Sequence, residues 1–212
     1  MAAFDYKKEY KKLYLPKQKP SILEVPPMRF VAVQGCGDPN EEGGAYKEAV
    51  GVLYAISYMI KISEKGGHSI DGYFSYVVPP LEGLWWMADG STGVDYADKS
   101  CFCWISMIRL PDFVDEQTFC WAKEEVLRKK GIDTANAMFY PLDEGLCVQC
   151  MHNGSYDDEP ATVAVMEAYA SENGYRLDLS DARRHHEIYL SDPRRVAVEK
   201  CKTVIRHPIA KA

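Results

Sequence analysis

The spacing of apolar positions changes several times along the chain, and each change predicts a change of secondary structure. Short runs rich in β-branched and aromatic residues predict strands over residues 28–34, 73–78, 81–88, 101–110, 146–152, 186–190 and 201–207. Apolar residues at helical spacing predict helices over residues 44–62, 115–130 and 159–173. Glycine follows each helical pattern, at Gly66, Gly131 and Gly174, as is common at helix C-termini.

The predicted elements occur in an order that repeats. Strand, helix, strand and strand follow one another over residues 28–111 and again over 141–209, and a helix within residues 112–140 links the two units. Residues 1–27 contain prolines and alternating tyrosines and lysines, which predicts an arm that packs its aromatic rings on the outside of the fold. We therefore predict an α+β domain over residues 28–212, in which two pseudo-twofold-related repeats form a ligand groove between them.

Composition narrows the classes of partner. The formal net charge of −6 argues against a general nucleic-acid-binding protein, which needs a basic face. The longest apolar stretch, residues 50–60, is too short to span a bilayer, and residues 1–20 do not resemble a signal peptide. We therefore expect a cytoplasmic protein that contacts neither nucleic acid nor membrane directly. A partner protein is possible, although no docking element supports one.

The cysteine pattern suggests buried thiols. Four of the seven cysteines lie in apolar, strand-like runs, and we expect them to be reduced core residues; they are Cys101, Cys103, Cys147 and Cys150. Cys147 and Cys150 have the spacing of a redox or metal motif, but side chains three apart in a strand point to opposite faces.

Histidines give no metal motif either. Residues 185 and 186 are both histidine, yet adjacent strand residues diverge. His152 is expected to be a hydrogen-bonded turn residue. No metal site and no cofactor are predicted.

Glu187 and Tyr189 are the candidate functional pair. They alternate with Ile188 and Leu190, so a strand would turn the apolar pair toward the core and leave Glu187 and Tyr189 for the groove. A carboxylate walled by aromatic rings has a raised pKa, and it can anchor a cationic or hydrogen-bonding ligand or act as a general base. The alternative is an exposed glutamate on an edge strand.

Aromatic residues near the predicted groove suggest a cage for a small planar apolar or cationic ligand. Trp85 and Trp86 point to opposite faces of their strand, so one should lie in the cage and the other in the core. Each aromatic side chain taken alone is more often a core residue. Combined with the repeat, which places Glu82 at the position equivalent to Glu187, they favour a cage. The expected ligand-binding residues are Glu82, Trp85, Trp86, Trp104 and Tyr140.

Two segments carry a resemblance to a known family. The segment MHNGSY (151–156) and the segment EIYLSDP (187–193) resemble those of the GyrI-like small-molecule-binding domain. That family has two strand-helix-strand-strand repeats and forms the ligand-sensing part of several bacterial transcription regulators. The resemblance covers residues 28–209 and implies that Glu187 lies in the ligand pocket. No DNA-binding helices precede the domain in this sequence, so direct transcriptional control is not expected.

A narrower resemblance suggests an activity. The opening segment FDYKKEY (4–10), the segment GDPN (37–40) and the segment PLEGLWW (80–86) are similar to those of stand-alone GyrI-like proteins that hydrolyse cyclopropane-bearing DNA-alkylating compounds. This resemblance implies that Glu187 orients or deprotonates water and that Tyr189 hydrogen-bonds the ligand. Two alternatives remain, namely a non-catalytic module that senses or sequesters its ligand, and a regulatory partner of a separate transcription factor.

Overall fold

The computed structural model describes residues 3–91, 93–192 and 194–212. Within them the chain forms helices α1 (Tyr6–Glu9), α2 (Lys11–Tyr14), α3 (Ala45–Lys61), α4 (Glu116–Lys130) and α5 (Glu159–Glu172). The strands are β1 (Ser21–Val25), β2 (Met28–Cys36), β3 (Leu81–Met87), β4 (Phe102–Arg109), β5 (Met138–Leu142), β6 (Gly145–Asn153), β7 (Tyr175–Leu177), β8 (His185–Tyr189) and β9 (Lys202–Lys211). Pro193, which belongs to the EIYLSDP segment, lies outside the described residues.

The strands form one antiparallel sheet, curled into a half-barrel, in which the two repeats are related by symmetry. The strand order is β1-β6-β9-β8-β3-β4-β2-β5, with β7 paired to β9. On either side of the contact between β3 and β8, the order β3-β4-β2 of the first repeat mirrors the order β8-β9-β6 of the second. The predicted α+β fold with two repeats is therefore confirmed.

The two outer strands exchange between the repeats. Strand β1 precedes the first repeat but pairs with β6 of the second, while β5 precedes the second repeat but pairs with β2 of the first. Both were missed in the sequence, because β1 lies within the predicted arm and β5 was expected to be part of a turn. Pro141 interrupts the pattern of β5, and proline is tolerated there because β5 is the last strand of the described order.

The sheet has two covered faces. Helices α3, α4 and α5 pack on one face, here called the helix face, with Leu53, Phe119 and Met166 buried in its apolar clusters. The N-terminal arm packs on the other, here called the arm face, where Tyr6 and Tyr14 are buried. The arm therefore completes a second core.

The helix termini follow the sequence signals. The Asp115 side chain accepts a hydrogen bond from the Thr118 amide at the start of α4, at 2.8 Å, and Gly131 ends this helix with a φ of 65°. Helices α3 and α5 lie within the predicted ranges. None of the helices in the described residues combines the length and the apolar character needed to cross a bilayer.

The expected strand over residues 73–78 is wrong. Only an isolated bridge joins Phe4 to Tyr76, because this segment packs beneath the arm rather than beside another strand. Tyr76 is buried in the arm-face core, which explains the apolar character of the segment.

The expectation of reduced, buried cysteines needs two corrections. Cys103 forms a disulfide with Cys36, its direct partner in the β2–β4 register. Cys101 is exposed, because it lies in a turn of 3-10 helix before β4. Cys147 and Cys150 are buried free thiols that belong to the clusters on opposite faces of β6, so the predicted divergence of this pair is confirmed.

Candidate functional site

Strand β8 sends its side chains alternately to the two faces of the sheet. His185, Glu187 and Tyr189 point to the helix face, whereas His186 and Ile188 point to the arm face. The strand lies in the middle of the sheet between β3 and β9. Its central position buries both sets of side chains, and each histidine meets a separate group of acidic residues.

On the helix face, His185 lies between two carboxylates. Its Nε2 atom is 3.0 Å from Glu187 Oε1 and 3.7 Å from Glu159 Oε2. Glu159 is the first residue of α5, and its Oε2 accepts a hydrogen bond of 2.6 Å from the Tyr96 hydroxyl. On the other side of the ring, His185 Nδ1 is 2.6 Å from Nε2 of His207. We call Glu159, His185 and Glu187 the helix-face triad.

Burial and neighbouring charges shift the pKa values of the residues in this group. Burial, together with the charge of Glu187, raises the pKa of Glu159 to about 8, although His185 and Tyr96 oppose the shift. Burial would lower the pKa of His185, but the two carboxylates outweigh it and raise the pKa to about 9. Burial and the neighbouring histidines lower the pKa of His207. At neutral pH both ring nitrogens of His185 therefore carry a proton and donate hydrogen bonds. The Nδ1–H group donates to the neutral ring of His207.

Aromatic side chains form the wall around Glu187 and Tyr189. The Trp85 indole N–H donates to the Tyr189 hydroxyl oxygen at 2.8 Å, and the Tyr46 ring lies 5.5 Å from the Trp85 ring. The Tyr156 ring meets Tyr189 edge to face at 5.8 Å. Tyr46, Tyr156 and Tyr189 are all partly exposed, while Glu187 is only 5% exposed. These tyrosines therefore surround the nearly buried carboxylate, and we call the partly exposed aromatic surface above it the groove.

A small depression lies beside the tryptophans. Its cavity volume is about 10 Å³, and it is lined by residues that include Trp85, Trp86, Arg184 and His185. Ligand pockets for drug-sized molecules have volumes of roughly 300–1,000 Å³. A planar ligand would therefore have to displace side chains at the edge of the groove in order to reach Glu187.

Four of the residues predicted for the site lie on the helix face. Glu187, Tyr189 and Trp85 come together through the β3–β8 register. Trp104 is 1% exposed and lies behind them, with its ring 5.1 Å from Tyr46. It supports the wall from the core and does not line the groove.

Three predicted residues lie on the arm face. The expected groove position of Glu82 and Tyr140 is wrong, whereas Trp86 is the one of the two tryptophans that lies on the core side. Gly83, not Glu82, is opposite Glu187 in the register, so strand alternation turns Glu82 away from the groove. Trp86 points to the arm face, as Glu82 does, and the Arg184 guanidinium lies 3.8 Å from its ring centroid. Tyr140 is opposite Phe30 of the arm-face core.

The arm face carries its own buried charged network. Glu82 Oε2 and Glu144 Oε1 lie 3.0 and 2.8 Å from the two ring nitrogens of His186. The Arg206 guanidinium donates to Glu144 Oε2 at 2.9 Å, and the Tyr14 hydroxyl donates to Glu82 Oε1 at 3.4 Å. This network is hydrogen-bonded to the arm and is sealed beneath it.

Several site residues were not predicted. Glu159 was assigned only to a helix start, and Tyr46 only to a helical apolar stripe, so nothing in the local sequence connected them with β8. His185 shares its strand face with Glu187, and this two-residue spacing was the one available signal. His152 lies within β6 and not in a turn, but its ring is hydrogen-bonded as expected. Its Nδ1 atom lies 2.8 Å from Thr162 Oγ1, and its Nε2 atom lies 2.8 Å from the Ser155 carbonyl oxygen.

Comparison with solved structures places this architecture among known proteins. A crystal structure of a hydrolase from Listeria innocua is 45% identical, with a TM-score of 0.89 over 98% of this chain and 100% of that chain. An uncharacterized conserved protein from the same organism is 46% identical, with a TM-score of 0.90 and the same coverage. The C-terminal domain of EcmrR shares the fold at 13% identity, with a TM-score of 0.53 over 91% of this chain and 98% of that domain.

The family assignment follows from the sequence as a whole. No curated protein matches this chain. The model of the GyrI-like small molecule binding domain, however, matches residues 18–210. This range covers both repeats, β1 and the helix-face triad. The chain therefore belongs to the GyrI-like small-molecule-binding domain family.

Proposed function

We propose that this protein hydrolyses small planar compounds that carry a cyclopropane ring conjugated to a carbonyl group, adding water to open the ring. The observation that supports this proposal best is the arrangement of Glu187 and Tyr189. A buried carboxylate and a phenol project from one strand into the base of a groove walled by Trp85, Tyr46 and Tyr156. A related Listeria innocua protein, 45% identical, is described as a hydrolase.

The wall and the base of the groove have different roles in this proposal. The partly exposed tyrosine rings provide flat apolar surface on which a planar ligand can stack. Glu187 is hydrogen-bonded to His185 at 3.0 Å, which fixes the orientation of its carboxylate. Positioning contributes strongly when the reacting bond is already strained, because holding water and ligand together removes much of the entropic barrier.

The reaction can be written with every atom accounted for. Glu187 takes a proton from water as the water oxygen bonds to a ring carbon, and the carbon–carbon bond of the ring breaks. Its electron pair moves through the conjugated system to the carbonyl oxygen, which receives a proton from the Tyr189 hydroxyl. The protonated Glu187 then gives its proton to the Tyr189 phenolate, which lies on the same face of the strand. The net change is the addition of one water molecule.

The test is product formation by the purified protein and by two glutamate variants. We expect mass spectrometry to show a product one water heavier than a cyclopropane-bearing alkylator, formed over many turnovers. In Glu187→Gln turnover should fall by about 10²–10⁴-fold, the usual contribution of a general base, with ligand affinity retained. Glu82→Gln is the matched control, because Glu82 is also buried and also 3.0 Å from a histidine, but on the arm face.

The outcomes separate the candidate functions. Full turnover by the Glu187→Gln variant would show that Glu187 is not the general base. Stoichiometric binding without any water adduct would favour the second candidate, a non-catalytic module that senses or sequesters its ligand. The family's small-molecule-binding function and the fold shared with the C-terminal domain of EcmrR are the observations that favour this second candidate.

A further inference from the structure

The two faces of the central sheet carry buried clusters of glutamate and histidine that differ in their cationic partners. Each has two glutamates against one histidine of β8. On the arm face Glu144 is also paired with Arg206 at 2.9 Å. Among the described residues, no lysine or arginine forms an ion pair with Glu159 or Glu187 on the helix face. In the part of the chain that the structure describes, the helix-face triad therefore has His185 as its one cationic partner, whereas its counterpart also has Arg206.

We propose that the helix-face triad is a binding site for a divalent transition-metal ion, with Zn²⁺ as the best-matched ion. Glu159, His185 and Glu187 each offer one ligand atom, and all three atoms lie within 4.8 Å of one another. A dication would replace protons held by the triad, and two carboxylates with a dication form a neutral group, so the buried charges stay balanced. Both proposals use Glu187, so an ion bound here would occupy the carboxylate that serves as the base in the proposed hydrolysis. Zinc binding is measured without substrate, so its outcome does not depend on turnover.

The distances suit a first-row metal. Zn²⁺ binds imidazole nitrogen and carboxylate oxygen at about 2.0–2.2 Å, so ligand atoms around a tetrahedral ion are about 3.3–3.6 Å apart. His185 Nε2 lies 3.0 Å from Glu187 Oε1 and 3.7 Å from Glu159 Oε2. Shifts of a few tenths of an ångström would bring both separations to the required value. The mixed nitrogen and oxygen set favours Zn²⁺ or Mn²⁺ over Mg²⁺ and Ca²⁺, which prefer oxygen ligands alone.

The surrounding hydrogen bonds match those of a metal site. The Nδ1 atom of His185 points away from the carboxylates and lies 2.6 Å from Nε2 of His207. Metal-binding histidines commonly donate their second ring proton in this way, which fixes the ring and directs the other nitrogen at the ion. The Tyr96 hydroxyl holds Glu159 Oε2 similarly, at 2.6 Å.

An unused ligand atom supports the assignment. Glu159 is 0% exposed, and its Oε1 atom has no hydrogen-bond partner in the described structure. A buried carboxylate oxygen without a partner is costly, and native structures rarely keep one without a reason. A metal ion held by the Glu159 carboxylate would supply the missing interaction.

Three protein ligands leave at least one coordination position for water or for a ligand atom, as in catalytic zinc sites. The partly exposed Tyr189, with Tyr156 and Trp85 in contact with it, lies on the same strand face as Glu187. The chemical class of ligand that would coordinate such an ion is a small molecule with an oxygen or nitrogen donor.

The test measures zinc binding without substrate. Exposed Cys101 and Cys120 are first changed to serine, because their thiols would otherwise compete for Zn²⁺. After treatment with a chelator, the protein is dialysed against Zn²⁺, separated from free metal and analysed for metal content, and its affinity is measured by calorimetry. We expect one tightly held zinc ion per chain and an increase in the thermal unfolding midpoint.

Two variants identify the site. Glu159→Gln should lower the zinc affinity by at least about ten-fold, as the loss of a ligand or its support does in other zinc sites. Glu82→Gln, which alters the equivalent carboxylate on the arm face, should leave the zinc affinity unchanged. Glu187→Gln gives the same comparison should Glu159→Gln fail to fold. Absence of retained zinc, or equal zinc affinity in the variants of the two faces, would overturn the proposal.

Discussion

Gly83 is the residue that allows the aromatic wall to come close to β3. A Cβ atom at this position would lie 2.6 Å from Trp85 Nε1 and 3.0 Å from the Tyr189 hydroxyl. Both distances are shorter than ordinary van der Waals contacts, and both atoms belong to the hydrogen bond that orients the proposed proton donor. The absence of a side chain at Gly83, directly opposite Glu187, therefore leaves room for the hydrogen bond between Trp85 and Tyr189.

Gly83→Ala should consequently damage the groove more than the fold. We expect the methyl group to separate Trp85 from Tyr189, which would lower turnover by about ten-fold or more while overpacking costs about 1–3 kcal/mol of stability. Chemical unfolding and turnover of the same preparation measure the two effects. Gly51→Ala is the control, because nothing lies within 4 Å of the added atom on α3. Equal turnover in both variants would show that the contact is unimportant.

At the scale of single elements, β8 and β9 join the two faces of the sheet through their alternating side chains. Their register places His186 beside Arg206 on the arm face and Glu187 beside Ile205 on the helix face. One strand therefore supplies both the candidate site and the centre of the buried ion network. A slip of one residue would exchange the two sets, so the network fixes the register on which the site depends.

The arm-face network should make the stability depend on pH in the acidic range. Burial would raise the pKa of Glu144, but His186 and Arg206 outweigh it and lower the pKa to about 2. A carboxyl group with a depressed pKa in the folded state stabilises the protein above its ordinary pKa, and this contribution is lost as the pH falls from about 4.5 toward 2. The Glu144→Gln substitution removes this pH-dependent contribution and leaves Arg206 without its ion-pair partner.

Urea unfolding at pH 5, 4 and 3 tests this expectation. At pH 5 the variant should be less stable by about 3–5 kcal/mol, the usual cost of breaking a buried ion pair, and the difference should shrink toward pH 3. Starting at pH 5 keeps His186 protonated in both folded and unfolded states, so Glu144 dominates the change. Exposed Glu167→Gln is the control. A difference that does not vary with pH would contradict the assigned role of the Glu144 charge.

The elements that the sequence predicted are those with strong local signals. Helix α4 begins at its Asp115 cap and ends at Gly131, and the repeated order of strands and helices gave the fold class. Strands β1 and β5 were missed because their pairing partners lie in the opposite repeat. Their short patterns, close to prolines, resemble turns until those partners are known.

The difference between local sequence signals and tertiary contacts also explains which features of the site could be predicted. The shared strand face of Glu187 and Tyr189 could be predicted because the two residues are spaced by two. The position of Glu82 was wrong because it required the register between β3 and β8, which no local pattern contains. Glu159 joins the triad through the packing of α5 on the sheet, so only the tertiary structure brings it to His185.

At the scale of the whole molecule, the arm is part of the core. Arg206 donates to the Leu13 carbonyl at 2.9 Å, and Gln149 donates to the Lys12 carbonyl at 2.5 Å. Both side chains are about 1% exposed, so no water is available to replace these acceptors. The sequence suggested an arm outside a self-sufficient domain. The contacts instead show a segment that satisfies buried donors of β6 and β9.

Removing the arm should therefore destabilise the entire sheet, including the groove on its far side. A chain of residues 18–212 keeps the range matched by the family model from its first residue, but loses Tyr14 and the two carbonyl acceptors for Arg206 and Gln149. Losing each of these hydrogen bonds costs about 0.5–1.5 kcal/mol, and losing the burial of each of Tyr6, Leu13 and Tyr14 costs about 1.5–3 kcal/mol. In a chain of this length 1 kcal/mol corresponds to about 2–4 °C, so we expect the unfolding midpoint to fall by about 10 °C or more.

Calorimetry of both chains measures the change, and a synthetic peptide of residues 1–17 added in excess should restore part of the loss. If the shortened chain unfolds at the same temperature, the arm is an accessory. If it unfolds early and the peptide restores it, the two cores fold as one, and the geometry of the helix-face site depends on a segment bound to the opposite face of the sheet.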